Sequence, residues 1–167
     1  MNNSGNRHND YKLKERIIKI LKEFDIDIKN KRILDVGCGD GNLLIWLYNQ
    51  GVDKNSLYGV DIIDIYSSIG KKEKCFTFKI SEASNLPFEN KSFDIVTAFT
   101  LFSSVLNKKH REAIAQEILR VLKDEGIILI YDIRMNNPFN ERVIGIEKSE
   151  LKRLFGMKQY NFIKTTI

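Results

Sequence analysis

Nine residues, 33–41, constrain this chain more than any others. They open on an apolar stretch carrying one acid: Ile33, Leu34, Asp35 and Val36. Gly37, Gly39 and Gly41 then alternate with Cys38 and Asp40, and a second apolar run occupies 43–47. The first stretch reads as a buried strand and the second as the opening of a helix. Glycines between the two permit tight backbone angles and let a ligand approach bare main chain. The helix N-terminus behind them offers unpaired N–H groups and a partial positive charge. A turn built this way suits a nucleotide-like or carboxylate-bearing ligand.

The spacing is Gly-x-Gly-x-Gly, and position 42 is Asn42. A dinucleotide fingerprint would place its third glycine there. A nicotinamide-dependent oxidoreductase is therefore the weaker reading.

Strand-like and helix-like segments alternate through the chain. Residues 11–24 read as an amphipathic helix, with Leu13, Ile17, Ile20, Leu21 and Phe24 at helical spacing. The polar, Asn-rich stretch 1–10 reads as a frayed tail and has no apolar core of the kind a secretory signal needs. Strands are expected at 33–36, 57–60, 76–80, 93–99 and 127–131. Helices are expected at 42–50, 111–123 and 150–155. Gly51 and Gly156 are natural stops, and Ser149 is a suitable cap for the last helix. Asp124, Glu125 and Gly126 read as the turn into the fifth strand, and 158–167 as a last strand. This alternation predicts an α/β fold: a Rossmann-like, doubly wound, mainly parallel sheet with helices on both faces. The nearly all-apolar strands 33–36, 57–60 and 127–131 are expected to be central. Ligands bind such sheets at the carboxyl ends of the strands near the topological switch point, which the first strand should flank.

At 167 residues the chain is expected to be a single domain, long enough for a core without disulfides or metal. Cys38 and Cys75 belong to no Cys-x-x-Cys pair, so no metal site is expected. Two reduced thiols in a cytoplasmic protein are expected instead. No apolar run approaches the ~20 residues of a membrane span. Twenty-seven basic residues exceed 22 acidic ones, but they are dispersed, which reads as a solvated surface rather than a nucleic-acid footprint.

Two further segments add chemistry. Asp61 ends the second strand. An acid there accepts two hydrogen bonds from a ribose diol, or serves as an ordinary cap for the next helix. After the third strand come Ser81, Glu82, Ala83, Ser84, Asn85, Leu86, Pro87 and Phe88. There a carboxylate suits an exocyclic amine, the Ala83 N–H suits a ring nitrogen, and Leu86–Phe88 suit the wall of a base.

Five segments, 33–41, 58–61, 81–88, 92–96 and 119–126, resemble in order and spacing the class I S-adenosylmethionine-dependent methyltransferases. The match is nearest to the small-molecule branch whose third motif ends in Leu-Pro-Phe, and it covers roughly residues 30–133. The resemblance implies S-adenosyl-L-methionine as cofactor and S-adenosyl-L-homocysteine as product. By the same resemblance Gly37 and Gly39 would pass under the methionine and ribose, and Asp35 would help hold the methionine ammonium. Asp61 and the adjoining Ile62 would lie at the ribose, Glu82 and Ala83 at the adenine, and Phe99 near the sulfonium. Methyl transfer from a sulfonium is an in-line displacement that asks mainly for alignment and exclusion of water.

The chain departs from that pattern in two places. Residues 100–104 (Thr, Leu, Phe, Ser, Ser) carry no titratable side chain where many relatives have His or Glu. Asp132 and Tyr131 are the candidates for an acceptor-facing polar group, and Arg134 for an anionic substrate group. Asn136 and Asn137 lie beside them, and His110 reads as an exposed residue near a helix cap. The fold also normally has seven strands. A sixth is the last that fits here, so the C-terminus is expected to be shortened and the seventh strand missing. An exposed sheet edge beside the fifth strand would result, with 158–167 pairing irregularly or across a homodimer interface.

The expected partner is a small-molecule, saccharide or lipid-precursor acceptor. Nucleic acid is disfavoured because no Asn/Asp-Pro-Pro-aromatic segment follows the fourth strand. A cofactor-binding module without turnover is the remaining alternative.

Overall fold

The structure is a computed structural model and describes residues 4–64, 75–136, 140 and 142–156, with the side chains of 4–10 left aside. The chain falls into two compact units, one built on 1–28 and one within 29–160.

In the first unit α1 runs Ser4–Glu23. Ile17 and Leu21 are its buried residues, while Tyr11 is exposed. The helix closes on Asp25 at φ 52°, and the Ile26 amide donates back to the Leu21 carbonyl at 2.8 Å. Residues 4–10, expected as a frayed tail, are helical. No proline interrupts them, and extending a helix past its nucleus costs little.

The second unit carries a parallel sheet. Its strands are β1 (Ile33–Val36), β2 (Leu57–Asp61), β3 (Thr77–Ile80), β4 (Phe93–Phe99) and β5 (Leu122–Tyr131). Their order is β3-β2-β1-β4-β5, and every pairing is parallel. The chain reverses direction across the sheet between β1 and β4, so β1 flanks the switch point as expected. Among its described residues are the α-helices α2 (Asn42–Asn49), α3 (Lys108–Val121) and α4 (Lys148–Phe155). β1 and β4 are buried almost throughout, because helices cover both faces of a central parallel strand. Leu44, Leu47, Ile114, Ile118 and Val121 bring the helical side of the core.

Three expectations need correction. The helix expected to run to Lys123 ends at Val121, and β5 begins at Leu122 rather than after Gly126. Leu122 pairs with Phe93 and is buried, which draws the chain into the sheet early. Lys123 then pairs with Asp94 at 2.9 Å and Asp124 with Lys91 at 2.8 Å. The expected turn survives only as a register shift between Phe93 and Ile95. Second, among the described residues β5 ends the sheet, so 127–131 is not central, and these side chains are only half-buried. Third, α4 is preceded by Glu147 as its cap residue. Ser149 lies inside the first turn and donates its hydroxyl to Glu147 Oε2 at 3.2 Å. The expected strand at 158–167 lies outside the described residues.

Candidate functional site

The site begins where β1 meets the glycines. Gly37 and Gly39 have φ of 76° and 53°, angles that side chains rarely adopt. The amides of Gly37 and Cys38 both donate to the Val60 carbonyl, at 2.8 and 3.0 Å, which lays the loop across the end of β2. An added Cβ on Gly37 would stand 3.1 Å from Leu101 Cδ1, so that glycine lies under the segment following β4. A Cβ on Gly39 would meet nothing within 4 Å. Open room above bare backbone is the shape a ligand cradle needs.

Asp61, at the end of β2, faces the same loop. Its Oδ2 accepts the Gly39 amide at 2.9 Å and its Oδ1 the Ile63 amide at 3.1 Å. Each oxygen keeps a further lone pair. The carboxylate therefore fixes the loop and can still take hydroxyl donors. Ile62 beside it is 64% exposed.

Asp35 lies beneath the loop and is 4% exposed. Thr97, on the neighbouring strand β4, donates its hydroxyl to Asp35 Oδ1 at 2.5 Å. Burial pushes the Asp35 carboxyl up to about 7; the Thr97 hydrogen bond opposes this and nearby Asp61 adds to it. Burial likewise pushes the Cys38 thiol far up, with Asp35 and Asp61 adding to it. Cys38 and Cys75 are both buried and outside any disulfide, and the Cys38 thiol, held protonated, is a poor nucleophile.

Glu82 and Ala83 follow β3 on an irregular loop. The Ser81 amide donates to the Asp61 carbonyl at 3.0 Å, which brings the loop beside the ribose candidate. The Ser81 hydroxyl closes a turn by donating to the Asn85 carbonyl at 2.8 Å, and the Asn85 amide donates to the Glu82 carbonyl at 3.0 Å. Ser84 donates to Glu82 Oε2 at 3.3 Å and sits 3.1 Å from His110 Nε2. His110 is exposed in the first turn of α3, as expected.

Sequence reasoning missed Glu117 and Arg120 on α3. They form an ion pair at 2.7 Å, and both contact residues 86–90. Arg120 holds the Glu117 carboxyl below its usual range, and Glu117 raises Arg120 in turn. Their i,i+3 spacing on a helix was the available signal. It could not reveal that a loop some 30 residues away lies against them.

On the other flank, the Phe99 and Tyr131 rings meet edge to face, with centroids 6.1 Å apart. Thr100 follows at φ 52°, a strained angle for a β-branched residue. Its amide donates to the Tyr131 carbonyl at 2.7 Å, and Ser104 donates its hydroxyl to the Thr100 carbonyl at 2.8 Å. Thr100→Gly should relieve this strain and raise thermal stability by about 1 kcal/mol, a few degrees in a melting scan.

Asp132 is heavily engaged. Its Oδ2 accepts the amides of Phe102 and Ser103, at 2.9 and 3.2 Å, and its Oδ1 accepts the Ile133 amide at 2.8 Å. The chain then folds back. The Ile144 amide donates to the Ser103 carbonyl, the Ile146 amide to the Ile133 carbonyl, and the Gly145 amide to Asn136 Oδ1. Arg134 is exposed, while Asn137 lies outside the described residues. Buried Arg111 stands 3.1 Å from Glu150 and joins α3 to α4. Among the described residues no group of three or more His, Cys, Asp or Glu could hold a metal. No helix there is long and apolar enough to cross a membrane.

The carboxyl ends of β1, β2 and β3 thus gather Asp35, Gly37, Gly39, Asp61, Ile62, Glu82 and Ala83. The ends of β4 and β5 gather Phe99, Tyr131 and Asp132.

A family model described as a methyltransferase domain matches residues 33–126. An uncharacterised protein of Methanocaldococcus jannaschii is 32% identical over 145 residues, covering 73% of this chain and 54% of that protein. A phthiotriol/phenolphthiotriol dimycocerosates methyltransferase of Mycobacterium leprae is 28% identical over 132 residues, covering 77% and 47% respectively. The chain spans about half the length of these curated relatives. In fold it resembles a Pyrococcus horikoshii protein, with a TM-score of 0.73 at 21% identity over 93% of this chain and 82% of that one. A S-adenosylmethionine-dependent methyltransferase from Methanosarcina mazei gives 0.64 at 22% identity, over 75% and 77%. A glycine turn tied to a strand-end acid, the parallel sheet behind it and a family match running from β1 into β5 all agree, and the chain belongs to the class I S-adenosylmethionine-dependent methyltransferases.

Proposed function

We propose that this chain binds S-adenosylmethionine over the carboxyl ends of β1, β2 and β3 and directs its methyl group to an acceptor entering over β4 and β5. The supporting observation is the Asp61 carboxylate, which holds the Gly39 amide at 2.9 Å beneath open space. In this reading Asp61 takes the ribose hydroxyls, Ile62 packs beside them, and Glu82 with the Ala83 amide reads the adenine. Asp35 faces the methionine ammonium, and Phe99 shields the reacting centre from water. The cofactor supplies a methyl carbon activated on sulfur. The protein's part is to align the acceptor with it and keep the site dry.

A lipid-precursor acceptor fits best among small molecules, saccharides and lipids. Leu106, Ile133 and Met135 are exposed after β4 and β5, Met135 by 81%. Relatives named for apolar acceptors include the phthiotriol enzyme and a ubiquinone/menaquinone biosynthesis C-methyltransferase of Bartonella henselae. Of the two acceptor-facing candidates, Tyr131 is better placed for proton transfer. Asp132 spends its oxygens on three backbone amides and serves to position the turn at 102–104. That same engagement is the one observation favouring the alternative, cofactor binding without turnover.

Calorimetry with S-adenosylmethionine and S-adenosylhomocysteine tests the reading. Micromolar binding is expected, weakened by ~1–3 kcal/mol in Asp61→Ala through loss of charged hydrogen bonds. A folded protein that binds neither ligand overturns it. Binding without turnover on quinone, sterol and fatty-acyl acceptors would select the alternative.

A further inference from the structure

We propose that Arg120, acting with Glu117, is a positioning residue that sets which purine base the site accepts. The inference rests on the cofactor reading above. Glu82 and Ala83 would face the base, yet residues 81–90 form no helix or strand that could hold them in place. Their conformation is set from α3.

The Arg120 guanidinium grips the loop at three points. Nη1 donates to the Phe88 carbonyl at 2.8 Å and to Asn90 Oδ1 at 2.9 Å, and Nη2 donates to the Leu86 carbonyl at 2.9 Å. Nε and Nη2 also hold the two Glu117 oxygens, at 2.7 and 2.8 Å. Glu117 Oε2 then accepts the Leu86 amide at 2.7 Å. One ion pair thereby satisfies both backbone groups of Leu86, whose side chain is itself buried.

The constraint runs onward to the base-reading residues. Leu86 adjoins Asn85, whose amide and carbonyl close the turn on Glu82 and Ser81. A flat, five-donor fork is what this geometry requires; an ammonium is a point charge and cannot span three acceptors and a bidentate carboxylate. Released from α3, the turn at 82–85 loses its fixed end. Glu82 then no longer holds one position from which to select an amine over a carbonyl.

The test is the ratio of affinities for S-adenosylhomocysteine and its hypoxanthine analogue, in which a carbonyl replaces the exocyclic amine. Both are measured by calorimetry on the full chain. The unaltered protein should prefer adenine by about tenfold or more, the worth of one good hydrogen bond against an unpaired acceptor. Arg120→Lys and the nearly isosteric Glu117→Gln should each cut that preference to about twofold, with thermal melts confirming the fold. Loss of fold stability alone would weaken both ligands equally and leave the ratio standing, and that result overturns the inference. So does an unaltered protein that binds both ligands alike. If it binds neither, the cofactor reading fails and this inference with it. Amide exchange in the unaltered protein is an independent arm. Leu86 should exchange more slowly with S-adenosylhomocysteine than with the analogue at equal saturation, and equal rates would overturn the proposal.

Discussion

Raising the pH from 6 to 8 is expected to tighten S-adenosylhomocysteine binding about tenfold, and Asp35→Asn to remove that dependence. The free protein holds Asp35 near 7, chiefly through burial. A ligand ammonium needs the carboxylate, so below that value binding must first expel a proton, and affinity falls about tenfold per pH unit. Above it the carboxylate is already present and the affinity levels off.

Stability of the unliganded protein should run the other way. Unfolded, the acid titrates at its ordinary value of 3.8; folded, it keeps its proton to about 7. Between those values the folded state binds the extra proton. Its contribution to stability is therefore complete below about pH 4 and is lost as the pH rises to about 7. Asp35→Asn should flatten that slope and stabilise the unliganded protein at pH 8 by on the order of a few kcal/mol while weakening the ligand. Opposite changes in stability and affinity would identify Asp35 as a group held against its preference for the sake of binding. Titration calorimetry and melts across pH 5–9 measure both. A flat affinity profile in the unaltered protein would show that Asp35 does not meet the ammonium.

Gly59→Ala should destabilise the fold by about 1–3 kcal/mol and sharply reduce cofactor binding, although no ligand need touch it. Gly59 lies in β2 opposite Asp35 of β1. An added Cβ would stand 2.7 Å from Cys38 Sγ, 2.8 Å from Leu44 Cδ1 and 3.1 Å from Phe76 Cε2. All three side chains are buried, so none can swing into solvent. Two of them belong to the proposed cofactor site: Cys38 sits in the glycine loop, and Leu44 in the first turn of α2. The extra methyl would lift the loop away from Asp61. Cys38→Ala in the same background removes the shortest contact and should recover part of the loss. Chemical denaturation and calorimetry on the single and double variants would show it; additive effects would mean the two residues do not meet.

Much of this was legible beforehand because it is local. Ile33–Val36, the three glycines and the start of α2 lie within a dozen residues, and strand, turn and helix there follow from hydrophobic period and glycine alone. β4 occupies the predicted span for the same reason, as a nearly unbroken apolar run. Asp61 and the loop at 81–88 were readable from residue type and their place after a strand. The β5 boundary was not. Asp124, Glu125 and Gly126 carry turn chemistry, but pairing of Leu122 with Phe93 draws the strand back past them.

The roles of individual carboxylates also needed the tertiary structure. Asp35 lies near the end of β1 and Asp132 just after β5, and residue type alone does not show which of them is buried. Burial deprives Asp35 of water and raises its proton affinity against the opposing Thr97 hydrogen bond, while three backbone amides occupy Asp132. Arg120 reads as a surface helix cation until the fold brings Leu86, Phe88 and Asn90 to it. The sequence by itself determined the strand-turn-helix unit, the parallel sheet and the gathering of the candidate residues at its carboxyl edge, since these arise from short-range pattern. The tertiary structure alone decided which charges are buried, which are already bonded and which loop they hold, because burial and hydrogen bonding depend on partners distant along the chain.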